Sequence, residues 1–235
     1  MSLKASPIRP GGVIIAIDGP SGAGKSTLTR LLAERLGYIH IDTGAMYRAV
    51  ALAAKGGDVA VDDEEALAGL CRCLTISFAR NGVGCRVLLN GEDISEAIRT
   101  PEISLLTSTV SARKGVRECL LERQREMGKA GGVVLEGRDI GTVVFPDADI
   151  KFFLTASTAE RGRRRYLEMR AKGEDVSLEG TIAQVAKRDE QDEQRELAPL
   201  RRAADAIDID SSGLTIEEVL TLMEGEIKER VNGEG

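Results

Sequence analysis

The 235-residue chain is 42% apolar and 30% charged, an ordinary balance for one globular domain with room for a small insert. Aromatics make up 3%, there is no Trp, and the net charge is −6. That excludes a base-stacking platform and a basic field, so no nucleic acid polymer is expected as a partner. No apolar run comes near the roughly 18 residues of a membrane span, and no membrane partner is expected.

In chain order, Met1 to Pro10 carries no apolar core long enough for a secretory signal and reads as a short disordered lead-in. With no signal and no span, the expectation is a cytoplasmic protein. Val13 to Ile17 is a continuous apolar run, as in a strand covered on both faces. Gly19-Pro20-Ser21-Gly22-Ala23-Gly24-Lys25-Ser26 then fills the pattern G-x-x-x-x-G-K-[ST]. Glycines let such a loop turn its backbone N–H groups inward onto phosphate oxygens, and the following helix points its positive end at the same spot. The expected ATP-binding residues are Gly19, Ser21, Gly22, Ala23, Gly24, Lys25, Ser26 and Thr27. Lys25 reaches the β- and γ-phosphates, and the Ser26 hydroxyl takes Mg²⁺, which is otherwise held by nucleotide phosphates and water. The stretch from Lys25 to Leu36 sets Leu28, Leu31, Leu32 and Leu36 on one helical stripe.

Tyr38 to Ile41 reads as a second strand, with the lone His40 as a structural residue, and Ala45 to Lys55 as a helix. From Leu74 to Ile94 the rhythm changes to short strands parted by Asn81-Gly82-Val83-Gly84 and Asn90-Gly91, which predicts antiparallel hairpins inside a βαβ series. Cysteines at 71, 73, 85 and 119 have no zinc spacing and are expected as reduced structural thiols. Further strands are expected at Val133 to Leu135, Ile150 to Leu154 and Ile207 to Ile209, with a last helix from Thr215 to Val231. Alternating strands and helices of this kind predict an α/β fold with a mostly parallel sheet.

A phosphate cradle does not say what is done with the nucleotide. The Asn-Lys-x-Asp tetrapeptide of switch GTPases is absent, which leaves small kinases ahead of a regulatory P-loop ATPase. The arginines separate these. Arg48 follows the second strand, Arg138 follows the third within Glu136-Gly137-Arg138-Asp139, and Arg161, Arg163, Arg164 and Arg165 crowd one helix. Arg188, Asp192 and Arg195 fall at spacings of four and three, on one helical face. Like charges packed as in 161–165 repel unless an anion lies between them. Phosphoryl transfer needs positioned cations, and a phosphate acceptor needs fork-shaped clamps such as Arg48 and Arg138 rather than a general base. The balance favours a phosphate as acceptor.

The P-loop, Asp42-Thr43-Gly44-Ala45-Met46-Tyr47-Arg48, the run from Glu136 to Ala148, Arg188-Asp189, Ala198-Pro199-Leu200 and Ala203-Ala204-Asp205-Ala206 together resemble the bacterial cytidylate kinases, in order from about residue 13 to 230. The resemblance implies a three-layer P-loop kinase fold of the nucleoside monophosphate kinase type, with a five-stranded parallel sheet. The core is expected at 13–60 and 130–232 with a helical arginine-bearing lid at 158–175. A monophosphate-binding insert is expected at 61–129, with a small antiparallel sheet at 74–94. The implied reaction is Mg²⁺-dependent transfer from ATP to CMP, and to dCMP, by in-line attack in a monomer. Its alternatives are another monophosphate such as UMP, or the regulatory ATPase. Carried over, Arg48, Arg138 and Arg195 hold the α-phosphate of CMP. Thr43, Arg188 and Asp192 approach its ribose or phosphate end, and Ser108, Arg117 and Asp139 face the cytosine. Lys25, Arg138, Arg161 and Arg165 are the implied catalytic cations, the last two as lid arginines. Thr43, Ser26 and Glu136 stand where some members have Ser, Gly and Asp.

Overall fold

A computed structural model describes residues 11–81 and 84–232. Among them run β1 (Ile14–Asp18), α1 (Lys25–Leu36), β2 (Ile39–Asp42), α2 (Thr43–Gly56), α3 (Glu64–Cys73), β3 (Ile76–Asn81), β4 (Gly84–Leu89) and β5 (Glu92–Asp93). There follow α4 (Pro101–Val110), α5 (Lys114–Gly128), β6 (Val133–Gly137), a π-helical turn (Ile140–Val144), β7 (Ile150–Thr155), α6 (Thr158–Ala171), α7 (Leu178–Gln194), β8 (Ile207–Asp210) and α8 (Ile216–Asn232). Two compact units emerge, one up to Ile39 and again from Ala130, the other from His40 to Lys129. The lead-in expected over residues 1–10 lies outside the described residues.

The first unit is built on the sheet. Five strands lie parallel in the order β2-β6-β1-β7-β8. β1 sits in the middle, paired with β6 from Ile14↔Val133 to Asp18↔Gly137 and with β7 from Ile15↔Ile150 to Asp18↔Phe153. Every residue of β1 and β6 is buried, which is why Ile14 to Ile17 and Val133 to Leu135 are continuous apolar runs with no alternation. Leu28 and Leu32 of α1 pack on Ile15, Ile17 and Phe152, together with Leu220 and Met223 of α8. The phosphate loop leaves the carboxyl end of this central strand, where open parallel sheets place their ligands.

The second unit gathers around the apolar face of α2. Asp42 caps that helix by accepting the Ala45 N–H at 2.8 Å, a standard relief for an orphan donor of the first turn. Met46 and Val50 join Leu67, Ile103, Val116 and Leu120 in one core. This unit begins at His40, with the apolar face of α2 packed on α3, α4 and α5, and the insert expected at 61–129 falls within it. β3, β4 and β5 form the expected antiparallel sheet. Asn90 and Gly91 have φ of 52° and 91°, the two left-handed residues of a type I′ hairpin turn. Gly82 and Val83 of the other expected turn lie outside the described residues. Cys71, Cys73 and Cys119 are free thiols, and burial, followed by the neighbouring Cys119, pushes the Cys71 thiol up to about 12.

Candidate active site

The phosphate loop has the strained backbone that its glycines permit. Gly19, Gly22 and Gly24 have φ of 150°, 78° and 93°, and a Cβ at Gly19 would lie 2.0 Å from the Leu154 carbonyl oxygen. Only glycine fits so close an approach. Lys25, the first residue of α1, folds back under the loop and donates to the carbonyl oxygens of Gly19 (2.7 Å) and Pro20 (2.6 Å). It is 6% exposed. Burial pulls its ammonium well below the ordinary lysine range and the positive charge of Arg138 pulls it further, against Glu136, Asp18 and Asp192. Two crowded cations at the mouth of a phosphate loop form a place where an anion is stabilised.

Ser26 and Thr27 stand exposed at the start of α1. The Ser26 hydroxyl donates to Glu136 Oε2 at 2.7 Å, so a hydroxyl and a buried carboxylate end at one point beside the loop. Hard oxygen donors of this kind, few in number, suit Mg²⁺, which keeps most of its ligands as water and substrate phosphate. No group of three or more His, Cys, Asp or Glu side chains that could hold a metal ion occurs among the described residues.

Arg138 and Asp139 stand between β6 and the π-helical turn. Arg138 Nε donates to Asp192 Oδ2 at 2.7 Å. Burial pushes the Asp192 carboxyl up, but Arg138, with Arg195 and Arg188 behind it, more than offsets this and holds it below the usual carboxylate range. Arg138, Arg188, Asp192 and Arg195 therefore meet as one group. Arg195 is not on the helical face expected for it: α7 ends at Gln194, and Arg195 follows in extended geometry. Its Nη2 donates to the Ala198 carbonyl at 3.0 Å and its Nη1 lies 3.9 Å from Asp192. Asp139 is buried at the head of the turn.

The arginines of α6 divide in a way their spacing did not reveal. Arg161, expected with Arg165 as a catalytic cation, is 5% exposed and fully engaged. It donates to the carbonyl oxygens of Ala156 (2.8 Å) and Ser21 (3.0 Å) and to Thr158 Oγ1 (3.0 Å), and pairs with Asp189 at 2.6 Å. In this conformation it pins the P-loop to α6 and α7 rather than presenting a charge. The repulsion expected among 161–165 is relieved by carboxylates, since Glu160 accepts from both Arg163 (2.8 Å) and Arg164 (2.9 Å). Those bonds, with Arg163 foremost, hold Glu160 down to about 2 against a small desolvation. Arg164 also reaches the Ser211 carbonyl. Arg165 meets Glu168 at 3.3 Å at the surface.

In the second unit, Arg48 Nη2 donates to Asp42 Oδ2 at 2.6 Å, while its Nε is buried with no partner among the described residues. Burial pushes Asp42 up, and Arg48, His40 and the Ala45 N–H bring it below the usual range. Thr43 is buried beside it as the first residue of α2. Arg117, 9% exposed, lies over the Tyr47 ring at 5.6 Å and donates to the Ser111 carbonyl at 3.1 Å. Ser111 Oγ in turn donates to the Ser108 carbonyl at 3.1 Å, so Ser108 and Arg117 are joined through one residue.

Sequence reasoning passed over Asp18. It is 4% exposed and accepts the Ile140 N–H (2.8 Å) and the Gly141 N–H (2.7 Å). Burial, with the like charge of Asp139, pushes it up to about 6, while those two N–H groups and Lys25 oppose the rise. The available signal was an acidic residue closing a strand that is otherwise wholly apolar.

Comparison with known proteins shows the family. Residues 15–229 match the family described as Cytidylate kinase. A cytidylate kinase of Geobacter sp. (strain M21) is 69% identical over 96% of this chain and 97% of its own length. That of Geobacter sulfurreducens is 68% identical over 93% and 94%, and that of Bacillus subtilis (strain 168) is 50% identical over 87% and 92%. Among solved structures, an uncharacterized protein from Eubacterium ventriosum ATCC 27560 shares the fold at 13% identity, with a TM-score of 0.52 over 92% of this chain and 98% of that one. No described helix is long and apolar enough to cross a membrane. This chain belongs to the cytidylate kinase family and is a nucleoside monophosphate kinase.

Proposed function

We propose that the enzyme transfers the terminal phosphoryl group of ATP to CMP, and to dCMP, by direct in-line attack with Mg²⁺. The observation that supports this reading is a P-loop with Lys25 folded beneath it, and Arg138, held by Asp192 just after β6, near enough for its charge to act on Lys25. The phosphate of CMP is itself the nucleophile and is already anionic, so no general base is required. What the site must supply is charge stabilisation and alignment.

Lys25 and the P-loop N–H groups take the β- and γ-phosphates of ATP. Ser26, with Glu136 beside it and the nucleotide phosphates, would hold Mg²⁺, which would supply further neutralisation of the transferring group. Arg48, Arg138 and Arg195 take the acceptor phosphate, with Thr43, Arg188 and Asp192 toward its ribose end. Binding that phosphate replaces part of what Asp192 now gives Arg138. Asp139 accepts from the exocyclic amino group of cytosine, while Arg117 donates to acceptors on the ring edge and Ser108 serves either way. Uracil carries a carbonyl and an N–H at the corresponding positions, so the same groups discriminate against it. Arg165 is the lid cation that meets the transferring group, and Arg161 acts on the same step by holding Ser21 of the loop.

The division of roles is tested by kinetics on Arg138→Ala and Arg165→Ala, with CMP and dCMP, before and after chelation of divalent metal. Arg138→Ala is expected to raise KM for the monophosphate by roughly tenfold or more with little change for ATP, since charged contacts are worth about 1.5–3 kcal/mol. Arg165→Ala is expected to lower kcat more than it raises either KM. Chelation is expected to abolish turnover. If both variants changed only the affinity for ATP, or turnover survived chelation, the assignment would be wrong.

A further inference from the structure

The π-helical turn Ile140–Val144 begins with backbone N–H groups that its own hydrogen bonds cannot satisfy. Inside it, Val143 and Val144 donate to the Asp139 carbonyl at 2.9 and 3.1 Å, and Phe145 donates to the Ile140 carbonyl at 2.7 Å. The N–H groups of Ile140 and Gly141 are left over, as at the start of any helical segment. Asp139 occupies the position whose side chain ordinarily caps such donors, yet it makes no capping bond. The cap is supplied by Asp18, more than a hundred residues earlier in sequence, with one carboxylate oxygen on each N–H at 2.8 and 2.7 Å.

We propose that Asp18 is a positioning residue for base recognition: by capping the Ile140–Val144 turn it fixes the backbone that carries Arg138 and Asp139. This rests on the assignment of Asp139 to the cytosine. Charge-assisted bonds to backbone N–H groups are short and directional, and here both are sheltered from water. β1 cannot shift to follow the turn, because it is paired on both edges along most of its length. The site of the cap is therefore set by the rigid middle of the sheet, and Asp139 inherits that rigidity through a single peptide. The arrangement also explains why a carboxylate is kept where burial pushes it up to about 6. An apolar residue at 18 would leave two buried N–H groups without partners. Gly141 completes the fit, since a Cβ there would meet Lys151 Cδ at 3.1 Å and Asp18 Oδ2 at 3.4 Å.

The test compares kcat and KM for CMP, UMP and ATP in the wild type, Asp18→Asn, Gly141→Ala and Asp139→Asn, with thermal midpoints measured alongside. Asp18→Asn keeps one acceptor and sets an amide N–H₂ against a backbone N–H, so the turn must move. It is expected to lower the CMP-to-UMP ratio of kcat/KM by roughly fivefold or more, the lower end of what one polar pairing discriminates, with KM for ATP little changed. Gly141→Ala crowds the Lys151 side chain and the Asp18 carboxylate by a few tenths of an ångström, so it is expected to shift the ratio in the same direction by less. Should Asp18→Asn fail to fold, Gly141→Ala decides, and an unchanged ratio there overturns the proposal. Equal losses on CMP and UMP, or a loss confined to ATP, overturn it as well, since Asp18 would then serve stability or the P-loop alone. If Asp139→Asn moves the ratio and neither other variant does, only this proposal falls. If none of the three moves it, the assignment of Asp139 to the base falls too.

Discussion

Asp18 and Lys25 are charged groups held where charge is costly, and the titration of Asp18 reports on the site. Asp18 has an ordinary value of 3.8 and is pushed up to about 6 in the folded chain. Between those values the folded state keeps the proton while the unfolded chain has lost it. Stability from this group therefore falls as pH rises from about 4 to about 6 and is level above that. The whole loss is on the order of 3 kcal/mol, from about 1.4 kcal/mol for each pH unit of the interval. Urea midpoints of the wild type and Asp18→Asn, compared at pH 4 to 8 without nucleotide or metal, isolate it: the wild type is expected to lose ground to the variant up to about pH 6. A difference that stays constant over that range would contradict the burial of an ionisable carboxyl there. In sequence, Lys25 and Ser26 were legible because the P-loop fixes spacing and type together. Asp18 was not, because its partners at 140 and 141 reach it only through the parallel pairing of β1 with β6.

At the scale of elements, α6 is fixed by how it meets α7. Gly162 faces Ile182 so closely that a Cβ on it would stand 2.4 Å from Ile182 Cγ1 and 2.9 Å from Ile182 Cα. The second contact is with backbone, so no rotamer change relieves it. Gly162→Val is expected to force the helices apart at a cost of about 1–3 kcal/mol, lowering the thermal midpoint by roughly 2–12 °C. It is also expected to lower kcat, because Arg161 and Asp189, which bind Ser21 of the P-loop to α7, lie on the displaced helices. A wild-type midpoint would show that this close approach is not a constraint. The helices themselves were legible from their apolar spacing, as were the hairpin at Asn90-Gly91 and the strands around it. The separate tasks of Arg161 and Arg165 were not. Four arginines in five positions look alike until Glu160, Asp189 and the Ser21 carbonyl are placed beside them. The extent of the second unit was hidden for a related reason: α2 has an apolar face whichever neighbours it packs against, and only the tertiary structure shows that α3, α4 and α5 take it.

At the scale of the whole molecule, the account claims that one chain joins a P-loop for ATP to clamps for a pyrimidine monophosphate. Family membership establishes a nucleoside monophosphate kinase, and the choice of base is the part the site residues must carry. The most direct measurement is ADP release by the purified enzyme with ATP and Mg²⁺, in parallel reactions with no acceptor, CMP, dCMP, UMP and AMP, with the nucleoside diphosphate product quantified in each. The account predicts almost no ADP without acceptor. It predicts CDP formed in equal amount to ADP with CMP, dCMP used as well, and UMP poorer in kcat/KM by at least about fivefold, from the cost of one mismatched polar pairing. ADP release at the same rate in every reaction, or UMP used as well as CMP, would contradict it.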